Sequence, residues 1–160
     1  NVTIYMELAQ GSLYEYLQQN KKIDATNIQI ILVGIARAMK YLNYNKIKHL
    51  DLKPENILLD DKLHPFLTDF YISNKFQKFT PNIYTAPEII EGKPFNEKAD
   101  VYSFGILMYQ IITCSFPYPD LQNNSIEISK LIEKVVSENY RPVFPDNSIK
   151  KSIQELIEKS

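Results

Sequence analysis

The sequence is poor in several features, and each scarcity excludes a class of protein. Its 160 residues include one cysteine, Cys114, so no disulfide can form within the chain, and a reducing cytoplasmic setting is expected. The 18 basic and 19 acidic residues nearly cancel, which argues against nucleic acid or an anionic membrane as the main partner. The most apolar run, residues 101–116, contains Ser103, Gln110 and Thr113, so it is too short and too polar to cross a bilayer.

No repeat, low-complexity tract or long linker interrupts the chain, so the sequence predicts one domain, or most of one. With 44% hydrophobic and 12% aromatic residues, the chain is long enough for one substantial core. Apolar residues recur at steps of three and four in several long stretches, which predicts amphipathic helices. The β-branched and aromatic runs are short and predict only short strands. The predicted fold class is therefore α+β and mainly helical.

The predicted elements follow one another closely. Ser12 and Glu15 form the S-x-x-E pattern, which predicts a capping box at the start of a short helix. The acidic turn 60–62 separates two apolar runs and predicts an antiparallel hairpin. In chain order we expect a strand at 2–6, the short capped helix, a long helix from about 26 to 45, hairpin strands at 57–59 and 65–68, a helix from about 98 to 114, and amphipathic helices near 128–136 and 149–157.

One stretch, HLDLKPENILLD at residues 49–60, concentrates chemically active groups. Asp51, Lys53 and Asn56 directly precede an apolar strand, and Asp69 follows the second strand of the hairpin. Because the two strands are antiparallel, Asp51 and Asp69 are expected at the same end of the hairpin. Neighbouring carboxylates repel each other unless a cation neutralises them, and the oxygens of Asp69 and Asn56 are ligands that suit Mg²⁺.

Phosphate oxygens would complete the shell of such an ion, and Lys53 would place a positive charge beside them. Asp51 is then the candidate to accept a proton from an attacking hydroxyl, or to orient that hydroxyl. The alternative interpretation is a polar turn that only caps the hairpin. His64 is interpreted as a solvated surface residue and Cys114 as a buried one.

Four motifs give the chain a resemblance to protein kinases. HLDLKPENILLD resembles the catalytic loop of that family, whose pattern is His-Arg-Asp-Leu-Lys-Pro-Glu-Asn. Asp69-Phe70-Tyr71 resembles its Asp-Phe-Gly motif, and Ala86-Pro87-Glu88 resembles its Ala-Pro-Glu motif. Residues 100–113, DVYSFGILMYQIIT, are similar to its buried central helix. Upstream, residues 4–17 are similar to the hinge between the two kinase lobes, with Met6 at the gatekeeper position.

The resemblance implies a fold and an activity. Residues 1–160 would be a partial protein kinase domain, from the hinge strand through the penultimate helices: the mainly helical C-terminal lobe with short β-hairpins, without the N-terminal lobe. Such a fragment is expected to transfer phosphate poorly or not at all on its own. The complete protein would be a serine/threonine kinase that uses ATP and Mg²⁺ and phosphorylates protein substrates, because Lys53 to Asn56 resemble the serine/threonine form of the loop. The hinge and helix composition resemble the tyrosine-kinase-like group.

The resemblance also assigns roles to single residues. Asp51 would be the catalytic acid/base, and Lys53 would steady the transferred phosphate. His49 and Phe70 would pack in an internal spine tied to Asp100. Ser12 is interpreted first as a helix cap, which can also contact the ribose. The remaining roles are Mg²⁺ binding by Asn56 and Asp69, contacts to the adenine edge by the Glu7 carbonyl and the Ala9 amide, and the floor of the adenine pocket by Leu58.

Three residues depart from the family pattern. Leu50 replaces the Arg that usually grips a phosphate on the activation segment, so we predict that phosphorylation of Ser73, Thr80 or Tyr84 raises the rate little. Tyr71 replaces a flexible Gly. Pro81 stands where serine/threonine kinases usually have a Thr that contacts the residues matching Asp51 and Lys53. These departures motivate the alternative function, a pseudokinase that serves as a binding scaffold.

Overall fold

The computed structural model describes residues 9–69, 80–123 and 125–144. Over these residues the chain is mainly helical and carries a small three-stranded antiparallel sheet, which confirms the predicted α+β class. The strand predicted at 2–6 and the helix predicted near 149–157 lie outside the described residues. So do Met6, Phe70, Tyr71 and Ser73. No helix in the three described ranges is long and apolar enough to span a membrane.

The predicted capping box is present. Strand β1 (Gly11–Ser12) leads directly into helix α1 (Leu13–Gln19). The backbone N–H of Glu15 donates to Oγ of Ser12 at 3.2 Å, and the backbone N–H of Ser12 donates to Oε2 of Glu15 at 2.9 Å. These bonds satisfy two backbone donors that the start of a helix would otherwise leave open. Leu13 and Leu17, one turn apart, are buried.

Helix α2 (Ala25–Tyr44) is the long helix predicted from the periodicity, with bounds within one residue of the expected ones. The carboxylate of Asp24 caps it by accepting bonds from the backbone N–H groups of Thr26 and Asn27, both at 3.0 Å. Ile31, Ile35 and Leu42 form its buried face.

The predicted hairpin is confirmed, but the sheet has a third strand that we did not predict. Strands β2 (Ile57–Leu59) and β3 (Pro65–Leu67) pair antiparallel, and β3 ends one residue earlier than expected. Strand β1 lies on the other side of β2, with Gly11 opposite Leu59 and Ser12 opposite Leu58. A Gly-Ser pair has no intrinsic β preference, so only its partner strand makes it extended.

Helix α4 (Lys98–Thr113) is the core of the described structure, as its apolar sequence predicted. It is followed by α5 (Pro119–Gln122) and α6 (Ile128–Ser137) and preceded by α3 (Pro87–Ile90). The short helices α3 and α5 were not predicted. Cys114 caps α4 in a left-handed conformation with φ of 49°. Its side chain is half-buried, which corrects the expectation of a fully buried thiol.

Candidate active site

The loop that carries the candidate catalytic residues is anchored to α4 by one buried carboxylate. Oδ2 of Asp100 accepts a hydrogen bond from the backbone N–H of His49, and Oδ1 accepts one from that of Leu50, each at 2.8 Å. Asp100 is only 7% exposed. The predicted tie between His49 and Asp100 is therefore confirmed, and it runs through the backbone.

These two bonds hold Leu50 in a strained conformation. Its φ of 61° lies in the left-handed region, which costs a non-glycine residue about 1–2 kcal/mol. A hydrogen bond to a charged acceptor contributes about 1.5–3 kcal/mol, so two of them outweigh that strain. The strained residue bends the chain between His49 and Asp51, which helps to set where Asp51 lies.

His49 is fully buried beneath the loop. Burial lowers the pKa of its imidazole, and the nearby carboxylates of Asp100 and Asp51 only partly oppose that effect. Nδ1 of His49 accepts a hydrogen bond from the backbone N–H of Asp51 at 3.4 Å. The neutral ring of His49 thus supports the backbone of Asp51.

Asp51, Lys53 and Asn56 are brought together as the sequence predicted. Oδ2 of Asp51 accepts hydrogen bonds from Nζ of Lys53 and from Nδ2 of Asn56, both at 2.8 Å. The side chains of Asp51 and Lys53 keep 26% and 29% of their surface exposed. The carboxylate is therefore held firmly and is still accessible from solvent.

Asn56 links the loop to the hairpin. Its Nδ2 also donates to the backbone carbonyl of Asp51 at 2.8 Å, so the amide hydrogens face Asp51 and Oδ1 is the atom left to bind a cation. Its own backbone carbonyl accepts from the backbone N–H of Thr68 at 2.9 Å and from Oγ1 of Thr68 at 3.2 Å. Asp69 follows Thr68 directly, so its backbone lies beside the Asn56 segment.

The donor set at this point fits a hard divalent ion. Asp69 is exposed and has φ of 56°. One amide oxygen and one carboxylate on adjacent segments match Mg²⁺, which usually keeps several of its waters. Within the described ranges there is no group of three His, Cys, Asp or Glu side chains that could hold a metal.

Three of the four residues predicted to contact the nucleotide base and ribose, Leu58, Ser12 and Ala9, lie on or near β2. Leu58 is half-buried in the middle of that strand, between Ser12 of β1 and Phe66 of β3 in register. Ser12 is the N-cap of α1, as interpreted from the sequence. Ala9 is half-buried, and the neighbouring Gln10 donates its backbone N–H to Leu59 at 2.9 Å. Glu7 lies outside the described residues.

The structure adds one residue that the sequence interpretation missed. Nδ2 of Asn82 donates to Oδ1 of Asp51 at 3.3 Å. The only signal for it was its position beside Pro81, where the family pattern has a Thr. Thr80, the residue on the other side of Pro81, is exposed.

The segment that carries Asn82 is bound to α4. Oη of Tyr84 donates to Oε1 of Gln110 at 2.5 Å, and Oγ of Ser103 donates to the backbone carbonyl of Tyr84 at 2.7 Å. Burial raises the pKa of the Tyr84 hydroxyl, so it stays protonated and can act as this donor.

Comparisons with known proteins identify the family. The model of the protein kinase domain family matches residues 1–160. A probable serine/threonine-protein kinase of Dictyostelium discoideum is 35% identical over 159 residues, which cover 90% of this chain and 12% of the relative. Mitogen-activated protein kinase kinase kinase 13-B of Xenopus laevis is 37% identical over 125 residues, covering 74% and 13%. Serine/threonine-protein kinase STY46 of Arabidopsis thaliana is 32% identical over 157 residues, covering 93% and 26%.

The chain spans only 12–26% of the length of these three relatives. The family match nevertheless covers every residue, including all four motifs on which the resemblance was based. The fold agrees with it, because the helical body carries a small antiparallel sheet beside the catalytic-loop motif. The chain belongs to the protein kinase domain family.

Proposed function

We propose that the protein containing this chain transfers the γ-phosphate of ATP to serine or threonine hydroxyls of other proteins. One observation carries the proposal: the carboxylate of Asp51 is held at 2.8 Å by both Lys53 and Asn56 and remains partly open to solvent. A polar turn that only caps a hairpin has no need for a restrained, accessible carboxylate. The names of the relatives, two serine/threonine-protein kinases and one mitogen-activated protein kinase kinase kinase, support the same activity.

Asp51 would orient the acceptor hydroxyl and take up its proton. A general base must lie within hydrogen-bonding reach of the proton that it removes. A carboxylate that is already held in place needs less reorganisation to reach that geometry. The bonds to Lys53 and Asn56 both engage Oδ2, which leaves Oδ1 as the oxygen that would receive the proton.

Lys53 would act beside it as a point charge. An ammonium group has three donors, and one of them is used for Asp51. The other two can reach phosphate oxygens and stabilise the negative charge that these oxygens carry during transfer. Lys53 would thus steady the transferred group and hold the base at the same time.

Asn56 and Asp69 would hold Mg²⁺ through one amide and one carboxylate oxygen. The bound ion would neutralise charge on the phosphate oxygens of ATP. For the nucleotide itself we propose Leu58 as the floor of the adenine pocket, Glu7 and Ala9 as the contacts to its edge, and Ser12 as a contact to the ribose. We also propose that the protein belongs to the tyrosine-kinase-like group of serine/threonine kinases. We place it in the cytoplasm and propose no nucleic acid partner.

The second candidate function is a pseudokinase that serves as a binding scaffold. It is favoured by Leu50, whose aliphatic side chain packs against the buried core where the family has a phosphate-gripping Arg. Against it stands the complete set of Asp51, Lys53, Asn56 and Asp69, because a scaffold has no physical need for all four.

The test is phosphate transfer from MgATP to dephosphorylated casein by the full gene product that contains these residues. We expect phosphoserine or phosphothreonine, and Asp51→Asn should lower kcat by about 10²–10⁴-fold, the range for loss of a general base. Asp61→Asn, which changes an exposed aspartate in the hairpin turn, is the matched control and should leave kcat unchanged. Full activity of Asp51→Asn would reject the proposed role. A wild-type protein that binds MgATP without transferring phosphate would favour the scaffold.

A further inference from the structure

We infer that Asn82 is a positioning residue that fixes the catalytic carboxylate of Asp51 from outside the catalytic loop, so that one lone pair of Oδ1 is presented to the acceptor hydroxyl. The inference rests on the phosphoryl-transfer function proposed above. It starts from the hydrogen bond between Nδ2 of Asn82 and Oδ1 of Asp51, at 3.3 Å, which joins residues 31 positions apart in the chain.

The orientation of the Asn82 amide is fixed by its own backbone neighbours. Its Oδ1 accepts the backbone N–H of Tyr84 at 2.8 Å, and only the oxygen of an amide can accept. The backbone N–H of Asn82 donates to Oγ1 of Thr85 at 2.9 Å, which closes the turn from the other side. Nδ2 must therefore be the atom that faces Asp51.

Both ends of the Asn82–Asp51 bond are attached to the same rigid helix. The turn that carries Asn82 is bound to α4 through Tyr84, which contacts Ser103 and Gln110. The loop that carries Asp51 is bound to α4 through Asp100. Two supports on one buried helix keep the donor and the acceptor in a constant relative position, which is what a positioning contact requires.

The four lone-pair sites of the Asp51 carboxylate are divided unequally. Oδ2 accepts two bonds, from Lys53 and Asn56, and so has both sites occupied. Within the described ranges Oδ1 accepts a single bond, the long one from Asn82. A long bond orients the oxygen without taking much of its capacity to accept a proton, and the second site of Oδ1 stays available to a hydroxyl.

The local sequence explains why the donor comes from position 82. Proline at position 81 has neither a hydroxyl nor a backbone N–H, so it cannot donate to Asp51. Asn82 is the next residue, and its side chain supplies an N–H donor to the same carboxylate.

Two substitutions of Asn82 separate positioning from a merely structural role. Asn82→Asp keeps an oxygen for the Tyr84 N–H but replaces the donor with a second carboxylate facing Asp51. Asn82→Ala removes both contacts. In casein phosphorylation by the full gene product, we expect both variants to lower kcat by about ten- to hundredfold, as small misplacements of a reacting group do. The KM for MgATP should stay within about twofold, since Asn82 bonds to Asp51, Tyr84 and Thr85, and none of these is proposed to bind the nucleotide.

A structural role gives a different pattern. In that case Asn82→Asp would keep the wild-type kcat and melting temperature, because the turn is intact, and Asn82→Ala would lose both. That result would overturn the inference.

A double-mutant cycle in melting temperature tests the contact without any activity. We expect the shifts caused by Asn82→Ala and Asp51→Ala to be non-additive when combined, because each substitution removes one partner of the same contact. Additive shifts would overturn the inference. An inactive wild-type protein would reject the proposed phosphoryl transfer instead, and this cycle would still decide whether Asn82 holds Asp51.

Discussion

A single buried side chain, Asp100, anchors the start of the loop that carries Asp51, Lys53 and Asn56. Its two carboxylate oxygens hold consecutive backbone N–H groups of His49 and Leu50. An asparagine has the same shape but only one acceptor oxygen, and its NH₂ group would face a second donor. Leu50 would then lose one of the bonds that offset its left-handed conformation, or His49 would lose its own.

We therefore expect Asp100→Asn to lower the free energy of unfolding by about 2–4 kcal/mol, the cost of a buried donor that loses a charged acceptor. Urea denaturation measures this. The control is Asp61→Asn at an exposed turn, which should change the free energy by less than about 0.5 kcal/mol. Equal effects of the two substitutions would contradict the anchoring role of Asp100.

His49 should make stability depend on pH. Burial lowers the pKa of His49 below the ordinary histidine value of 6.5, so the unfolded chain binds the proton more readily than the folded one. The contribution of neutral His49 to the free energy of unfolding is complete above about pH 6.5. It is lost as the pH falls from there toward the pKa of the folded state, with a slope of at most about 1.4 kcal/mol per pH unit. The carboxylates facing the ring, those of Asp100 and Asp51, reduce this effect without reversing its direction.

The measurement is urea denaturation at several values between about pH 7.5 and 5.5. The loss below pH 6.5 should persist in His64→Gln, because His64 is exposed and pairs with Asp60 at the surface. It should be reduced in His49→Gln. A loss that disappears with His64 and not with His49 would contradict the assignment.

At the scale of helices and strands, α2 packs closely against β3 at Gly34, and one added methyl group can test this contact. Gly34 lies in the middle of α2, and a Cβ added there would overlap Cδ and Cγ of the Pro65 ring. Alanine gains about 1 kcal/mol of helix propensity over glycine, and overpacking against a rigid ring costs about 1–3 kcal/mol.

We expect the packing cost to win, so that Gly34→Ala lowers the free energy of unfolding by up to about 2 kcal/mol. In the background of Pro65→Ala the ring is gone, and the same substitution should stabilise the protein by about 1 kcal/mol. Urea denaturation of the four combinations measures both effects. Stabilisation in both backgrounds would show that Pro65 does not limit the packing of α2.

Across the described structure as a whole, α4 connects parts that are far apart in sequence. It holds the loop that carries Asp51 through Asp100, and the Asn82 turn through Ser103 and Gln110. Near its other end, Oη of Tyr109 donates to the backbone carbonyl of Val143 at 3.0 Å. Nearly every residue from 99 to 111 is buried.

Because α4 is buried and central, we expect the backbone amides of residues 102–111 to exchange with deuterium only when the protein unfolds globally. The short helix α5, which has no buried residue, should exchange through local opening. Hydrogen exchange followed by mass spectrometry distinguishes the two regimes by their dependence on denaturant. Exchange of α4 before the hairpin strands would mean that α4 is not the last part to open.

The amino-acid order was sufficient for features that depend on neighbours in the chain. The capping box of Ser12 and Glu15, the long helix α2, the hairpin and the helix α4 were all predicted within one residue or so. Each depends on a period, a cap or a turn that a few adjacent residues define. The grouping of Asp51, Lys53 and Asn56 was predictable for the same reason, because they lie within six positions.

Tertiary contacts decided what those local rules could not. The two-residue strand at Gly11–Ser12 exists because β2 pairs with it, and the left-handed Leu50 exists because Asp100 holds it from 50 positions away. Asn82 reaches Asp51 only because both are anchored to α4. In each case the stabilising partner is distant in the chain, so no period or motif near the residue contains the information.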